Sequence, residues 1–84
     1  MKTNQKELAK MVGSNLRKAR KSKGITQTDL AKEMGKHQPD YSDYETGKVQ
    51  LDYAKILFLC NRLGITPNDL FTEELMEYQQ NNKD

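Results

Sequence analysis

The sequence predicts an all-α fold, a five-helix bundle with a helix-turn-helix at its centre. Glycines and prolines cut the chain into pieces of helical length, and within each piece apolar residues recur every three or four positions. No stretch alternates apolar and polar residues in the manner of a half-buried strand.

The first helix is expected to start after Thr3 or Asn4, either of which can accept a free backbone N–H at a helix start. Leu8, Val12, Leu16 and Ala19 make its inner face, and Gly24 stops it behind Lys21 and Lys23, cations that suit the carbonyl end of the helix dipole. Gly13 costs this helix about 1 kcal/mol relative to alanine. It reads as the mark where an added N-terminal piece ends. The second helix opens at Thr26 with Asp29 at capping-box distance, turns Leu30, Ala31 and Met34 inward, and ends at Gly35. The third starts near Gln38 or Pro39, a proline tolerated in a first turn, and runs to Thr46 with Tyr41 and Tyr44 inward and Gly47 after it. The fourth is capped by Asp52, runs through Ile56, Leu57, Leu59, Cys60 and Leu63, and stops at Gly64. The fifth opens with Thr66 as cap and Pro67 in first position; Leu70, Phe71, Leu75 and Met76 carry its apolar side, and Gln79 to Asp84 read as a frayed end.

With 84 residues the chain holds one core and little more, a size at which enzymes with deep pockets are uncommon. No apolar run approaches the ~20 residues of a membrane span, and the opening residues lack the apolar centre of a secretory signal, so a cytoplasmic address is expected. The single cysteine, Cys60, rules out an intramolecular disulfide and a cysteine-rich zinc site, and sits in an apolar run as a small core residue. The single histidine, His37, has Asp40 three residues on, but two ligands do not make a metal site. No nucleophile constellation or glycine-rich phosphate loop accompanies them, so neither catalysis nor a cofactor is expected.

Charge is distributed unevenly. The formal net charge is +2, yet the first 24 residues carry eight cations against Glu7 alone, and residues 66–84 carry five acids against Lys83. Such asymmetry suits a nucleic acid or another acidic partner near the first half; it equally suits a solvated helix face.

The stretch from Ile25 to Lys48 places two short helices around a turn at Gly35. Ala31 lies where the helices must cross closely, and a turn glycine accepts the positive φ that reverses the chain. The second helix is then braced by the first, and its outer face is free to enter a major groove.

These residues resemble the Cro and phage-repressor type of helix-turn-helix, the Xre family. Val12-Gly-Ser-Asn-Leu-Arg-Lys-Ala-Arg20 is similar to its first helix, and Gly24-Ile-Thr-Gln-Thr-Asp-Leu-Ala31 to the opening of its second. Tyr44-Glu-Thr-Gly-Lys48 is similar to the close of its recognition helix, and Leu63-Gly-Ile-Thr-Pro-Asn-Asp-Leu-Phe71 to its last helix junction. The four pieces occur in order and at family spacing. The resemblance implies a DNA-binding domain over 12–71, with 1–11 as an N-terminal extension of the first helix and 72–84 as a C-terminal helical extension and tail. It implies a sequence-specific regulator of transcription that binds operator DNA, commonly as a dimer.

The resemblance also implies roles at matching positions. Arg20 and Glu45 match a structural pair tying the first helix to the end of the third. Gln27, flanked by Thr26 and Thr28 at a helix N-terminus suited to anions, matches a phosphate contact. His37, Gln38, Pro39, Ser42 and Asp43 match groove-facing positions, with Lys36 before them; Thr46 and Lys48 match backbone contacts after the recognition helix. Several residues depart from the pattern. Lys36 replaces a small apolar residue, Pro39 removes a donor and shortens the usable helix, and Asp40 and Asp43 bring negative charge toward phosphates. Gln38 is the one residue with the bidentate amide that suits adenine. A homodimer through the fifth helix is expected from its apolar side. The alternative is a protein-interaction module of the same fold, such as an antitoxin component, which the acidic recognition helix favours.

Overall fold

Local capping chemistry sets the helix starts. In the structure, a computed structural model describing residues 4–72, the helices are α1 (Gln5–Ser22), α2 (Gln27–Glu33), α3 (Gln38–Thr46) and α4 (Tyr53–Leu63); α5 opens at 67 and is described to 72. Asn4, Thr26 and Asp52 each accept the N–H of the residue three positions on, at 2.8, 3.1 and 2.9 Å. At the head of α5 the Thr66 N–H donates to Asp69 Oδ2 at 2.8 Å. Each of these bonds satisfies a donor that the helix itself cannot. Pro39 sits in the first turn of α3, one residue after the helix has begun at Gln38. It therefore removes no helical hydrogen bond and does not shorten the helix, contrary to the expectation from sequence.

α1 and α2 both pack against α3, α2 through the turn at Gly35, whose φ of 70° is open to glycine at little cost. Leu16, Leu30, Tyr41, Leu59 and Leu70 are fully buried at the centre; Val12, Ala31, Tyr44, Cys60 and Leu63 complete the core. The side-chain amide of Asn15 donates to the carbonyl of Leu70 at 2.7 Å, fastening α5 to α1.

Two further expectations change. Gly13 marks no break: α1 runs through it unbroken, and it is buried where α1 meets α3. A Cβ there would fall on the Tyr44 carbonyl oxygen and lie 2.5 Å from that of Glu45. Within α4 the face carrying Leu59, Cys60 and Leu63 is buried, which leaves Leu57 64% exposed. Leu70 is not free for pairing, since it fills the core of its own chain, and Phe71 is packed against that core. Leu75, Met76 and the tail from Gln79 lie outside the described residues.

Candidate nucleic-acid interface

The site is built outward from a buried carboxylate. Glu45, in the last turn of α3, and Arg20, in the last turn of α1, are 6% and 7% exposed. Arg20 Nε donates to Glu45 Oε2 at 2.6 Å and a second guanidinium nitrogen donates to Oε1 at 3.2 Å. The remaining guanidinium nitrogen donates to the Ile25 carbonyl at 2.7 Å, so one side chain joins α1, the loop before α2 and α3. The Tyr41 hydroxyl donates to Glu45 Oε2 at 2.6 Å, and Gln27 Nε2 donates to Oε1 at 2.8 Å. Four donors thus converge on one carboxylate, the condition under which a buried charge is tolerated.

Burial pushes the Glu45 carboxyl up, but the hydrogen bonds from Arg20, Tyr41 and Gln27 outweigh it and hold the group below the ordinary carboxylate range. Burial, then bonding to Glu45, pushes the Tyr41 phenol far above its usual value, so it serves as a neutral donor. The hydrogen bond to Glu45 also raises the Arg20 guanidinium.

The charge at Glu45 sets the orientation of groups nearer the surface. A carboxylate only accepts, so Gln27 turns its amide nitrogen toward it and its oxygen away. Gln38 Nε2 donates to that oxygen at 2.6 Å. Gln38, the first residue of α3, is left with its own oxygen and a second N–H for an outside partner. That pairing of acceptor and donor matches the donor and acceptor of adenine in the major groove.

The other residues named from the sequence divide by placement. Thr26, Thr28, His37, Pro39, Thr46 and Lys48 are exposed, and Ser42 and Asp43 are half-buried. Thr26 uses its hydroxyl to cap α2, while Gln27 and Thr28 occupy the first turn, whose N–H groups have no helical partner. His37 is the residue before α3 and makes no side-chain cap bond. The Asp43 carbonyl accepts the N–H groups of Gly47, Lys48 and Val49, closing α3. Asp40 stands in the first turn of α3, where a negative charge is favoured by the helix dipole. This gives an acid on the recognition helix a reason that involves no ligand. Lys36, half-buried before α3, places its ammonium 5.7 Å from the centre of the Tyr44 ring, a cation–π contact.

Sequence reasoning missed the Tyr41 hydroxyl. Its signal was present, since Tyr41 and Glu45 are four apart and share a helix face. The link from Gln27 to Gln38 had no such signal, because it crosses between two helices.

Comparison with known proteins agrees with this geometry. A family model described as helix-turn-helix (HTH_3) matches residues 16–70. An uncharacterized HTH-type transcriptional regulator of Bacillus subtilis (strain 168), YqaE, is 34% identical over 67 residues, covering 80% of this chain and 58% of the relative. The SPbeta prophage-derived uncharacterized HTH-type transcriptional regulator YonR of the same organism is 37% identical over 60 residues, covering 71% of this chain and 56% of the relative. The chain therefore spans little more than half the length of these two relatives. Among solved structures, the clp gene regulator ClgR from C. glutamicum superposes with a TM-score of 0.72 at 26% identity, covering 83% of this chain and 91% of that one. The restriction-modification controller protein C.AhdI from Aeromonas hydrophila superposes with a TM-score of 0.66 at 32% identity, covering 77% of this chain and 97% of that one. The chain is a member of the helix-turn-helix family that also takes in the Cro and phage-repressor type.

Proposed function

We propose that the chain binds operator DNA sequence-specifically and regulates transcription, with α3 in the major groove and the start of α2 on the phosphate backbone. The observation that supports this most directly is the relay from Glu45 through Gln27 to Gln38, which holds a base-reading amide at the head of α3 in one orientation. On this reading Gln38, Pro39, Ser42 and Asp43 face bases, with His37 beside them. The N–H groups of Gln27 and Thr28 meet a phosphate, as helix N-termini do. Thr26, Thr46 and Lys48 flank the backbone, and 12–71 is the DNA-binding unit with 1–11 and 72–84 as its extensions. The chain acts as a cytoplasmic binding protein with no reaction of its own.

Assembly is proposed as a homodimer, with the seam moved from α5 to α4. Tyr53 is 87% exposed, and Leu57, four residues on, shares its side of the helix; Phe58 is also exposed. To meet two half-sites, a pair joined there has to hold its recognition helices about 34 Å apart on one face of the duplex. The same apolar face favours the second reading, in which a different protein docks on α4.

Selection of random duplexes by the purified protein, followed by sedimentation with and without the selected DNA, tests both statements. A palindromic product with an adenine contact that Gln38→Ala loses is expected. Failure to enrich any sequence overturns the operator reading, and a monomer at micromolar concentration with and without DNA overturns the dimer.

A further inference from the structure

Four cations of α1 fall along one edge of that helix. At 3.6 residues per turn, Lys6, Lys10, Arg17 and Lys21 lie within roughly 60° of arc. All four are exposed, and none is in an ion pair among the described residues. Ser14 borders the edge, and so does Glu7, the one acid of α1, three residues before Lys10. Beside this edge lie Gly13 and Arg20, the positions that face α3.

One end of the edge abuts the close of the recognition helix. A Cβ at Gly47 would lie 2.7 Å from the Cα and backbone nitrogen of Lys10 and 2.8 Å from its Cγ. The Gln50 amide approaches the Gln5 side-chain oxygen at 3.5 Å, so the first turn of α1 borders the loop that follows α3. Lys10 thereby lies beside the segment from Thr46 to Lys48, and Lys6 is one turn before it on the same edge. At the other end the Lys21 carbonyl accepts the Gly24 N–H, in the loop that leads to Thr26 and the start of α2. From Lys6 to Lys21 the edge is about 22 Å long, at 1.5 Å per residue. It spans both flanks of the helix-turn-helix.

We propose that Lys6, Lys10, Arg17 and Lys21 form a second phosphate-binding edge, along which the duplex backbone lies beside the groove entered by α3. The inference rests on the DNA-binding reading above and deepens it. DNA carries one charge per ~1.7 Å of duplex, and long flexible cations neutralise it without reading sequence. The edge takes in four of the eight cations of the first 24 residues; Arg20, a fifth, is held by Glu45. Lys6 and Lys10 also lie outside residues 16–70, so they extend the interface beyond the part of the chain matched to the family.

The test is the salt dependence of binding, measured on the selected operator and on a mixed-sequence duplex. Three proteins are compared: wild type, Lys6→Ala/Lys10→Ala, and Lys18→Ala/Lys32→Ala, which removes the same charge away from the edge. For every phosphate that is no longer neutralised, the log–log salt slope should flatten by about 0.9. The slope of the edge variant should therefore be shallower by about 2. Its binding should weaken equally on both duplexes and keep its discrimination between them. The control should keep the wild-type slope. Arg17→Gln/Lys21→Gln repeats the measurement from the other end and gives the same result if the edge is continuous. An unchanged slope in the edge variants, or an equal flattening in the control, overturns the proposal. A wild-type protein that binds neither duplex overturns the DNA-binding reading itself, a result distinct from either.

Discussion

Gly13→Ala places two effects of opposite sign on one residue. By helix propensity alone the change favours α1 by about 1 kcal/mol. The tertiary contact opposes it. The added carbon would lie 2.5 Å from the Glu45 carbonyl oxygen and 2.7 Å from its carbon, and also on the Tyr44 carbonyl. Ordinary carbon–oxygen contacts begin at ~3.3 Å, and these are backbone atoms of a helix, with no side-chain rotation to relieve them. α1 and α3 would have to separate by roughly 0.8 Å, a gap that forfeits a quarter to a half of the dispersion well along the seam. Overpacking costs ~1–3 kcal/mol, and against rigid backbone at these distances the upper part of that range, ~2–3 kcal/mol, applies. The net is a loss of about 1–2 kcal/mol in place of a gain. For a domain of this size each kcal/mol moves Tm by about 4–8 °C, so Tm should fall by about 5–15 °C. Far-UV circular dichroism melts, repeated in urea, measure this directly. Ser14→Ala is the comparator, since Ser14 is exposed on the same helix and should show only the small propensity gain. A Gly13→Ala protein that melts at or above wild type would refute the packing argument.

Three further outcomes are expected. Arg20→Ala leaves Glu45 buried without its main partner and should cost ~3–5 kcal/mol, whereas exposed Lys21→Ala should stay within about 0.5 kcal/mol in the same melts. The Glu45 carboxyl is held below its unfolded value of 4.5, so its stabilising contribution is full above that pH and is lost as pH falls through the lower folded value. Stability measured against pH should decline on the acid side in wild type and less steeply in Glu45→Gln, which has no proton to take up. Asp43→Asn removes a negative charge that phosphates repel and a group that only accepts, whose natural base partner is the N4 donor of cytosine. Titration on the operator and its one-base variants at fixed salt should give tighter binding to mixed-sequence DNA and ~1–3 kcal/mol less discrimination at one base pair.

Helix positions and helix ends were legible in the order of the residues. Asn4, Thr26, Asp52 and Thr66 take part in cap bonds that span three residues, and the turn glycines act through their own φ. Interactions of that range can be read along the chain. The inward face of α3 was legible for the same reason, since Tyr41, Tyr44 and Glu45 lie within about one helical turn.

Whatever depends on a partner from another helix was settled by packing. Gly13 has an ordinary helical backbone, and only the approach of α3 turns its missing side chain into a requirement. Leu57 and Leu70 are the same residue type, and the packing of α4 and α5 leaves one exposed and buries the other. Lys36 and the Tyr44 ring, eight residues apart, meet only through packing. The orientation of Gln38 depends on Gln27 from α2 and, through it, on a carboxylate whose charge is held by Arg20 from α1. Residues far apart in sequence meet there because burial of the core brings three helices to one point, and no local pattern encodes that meeting.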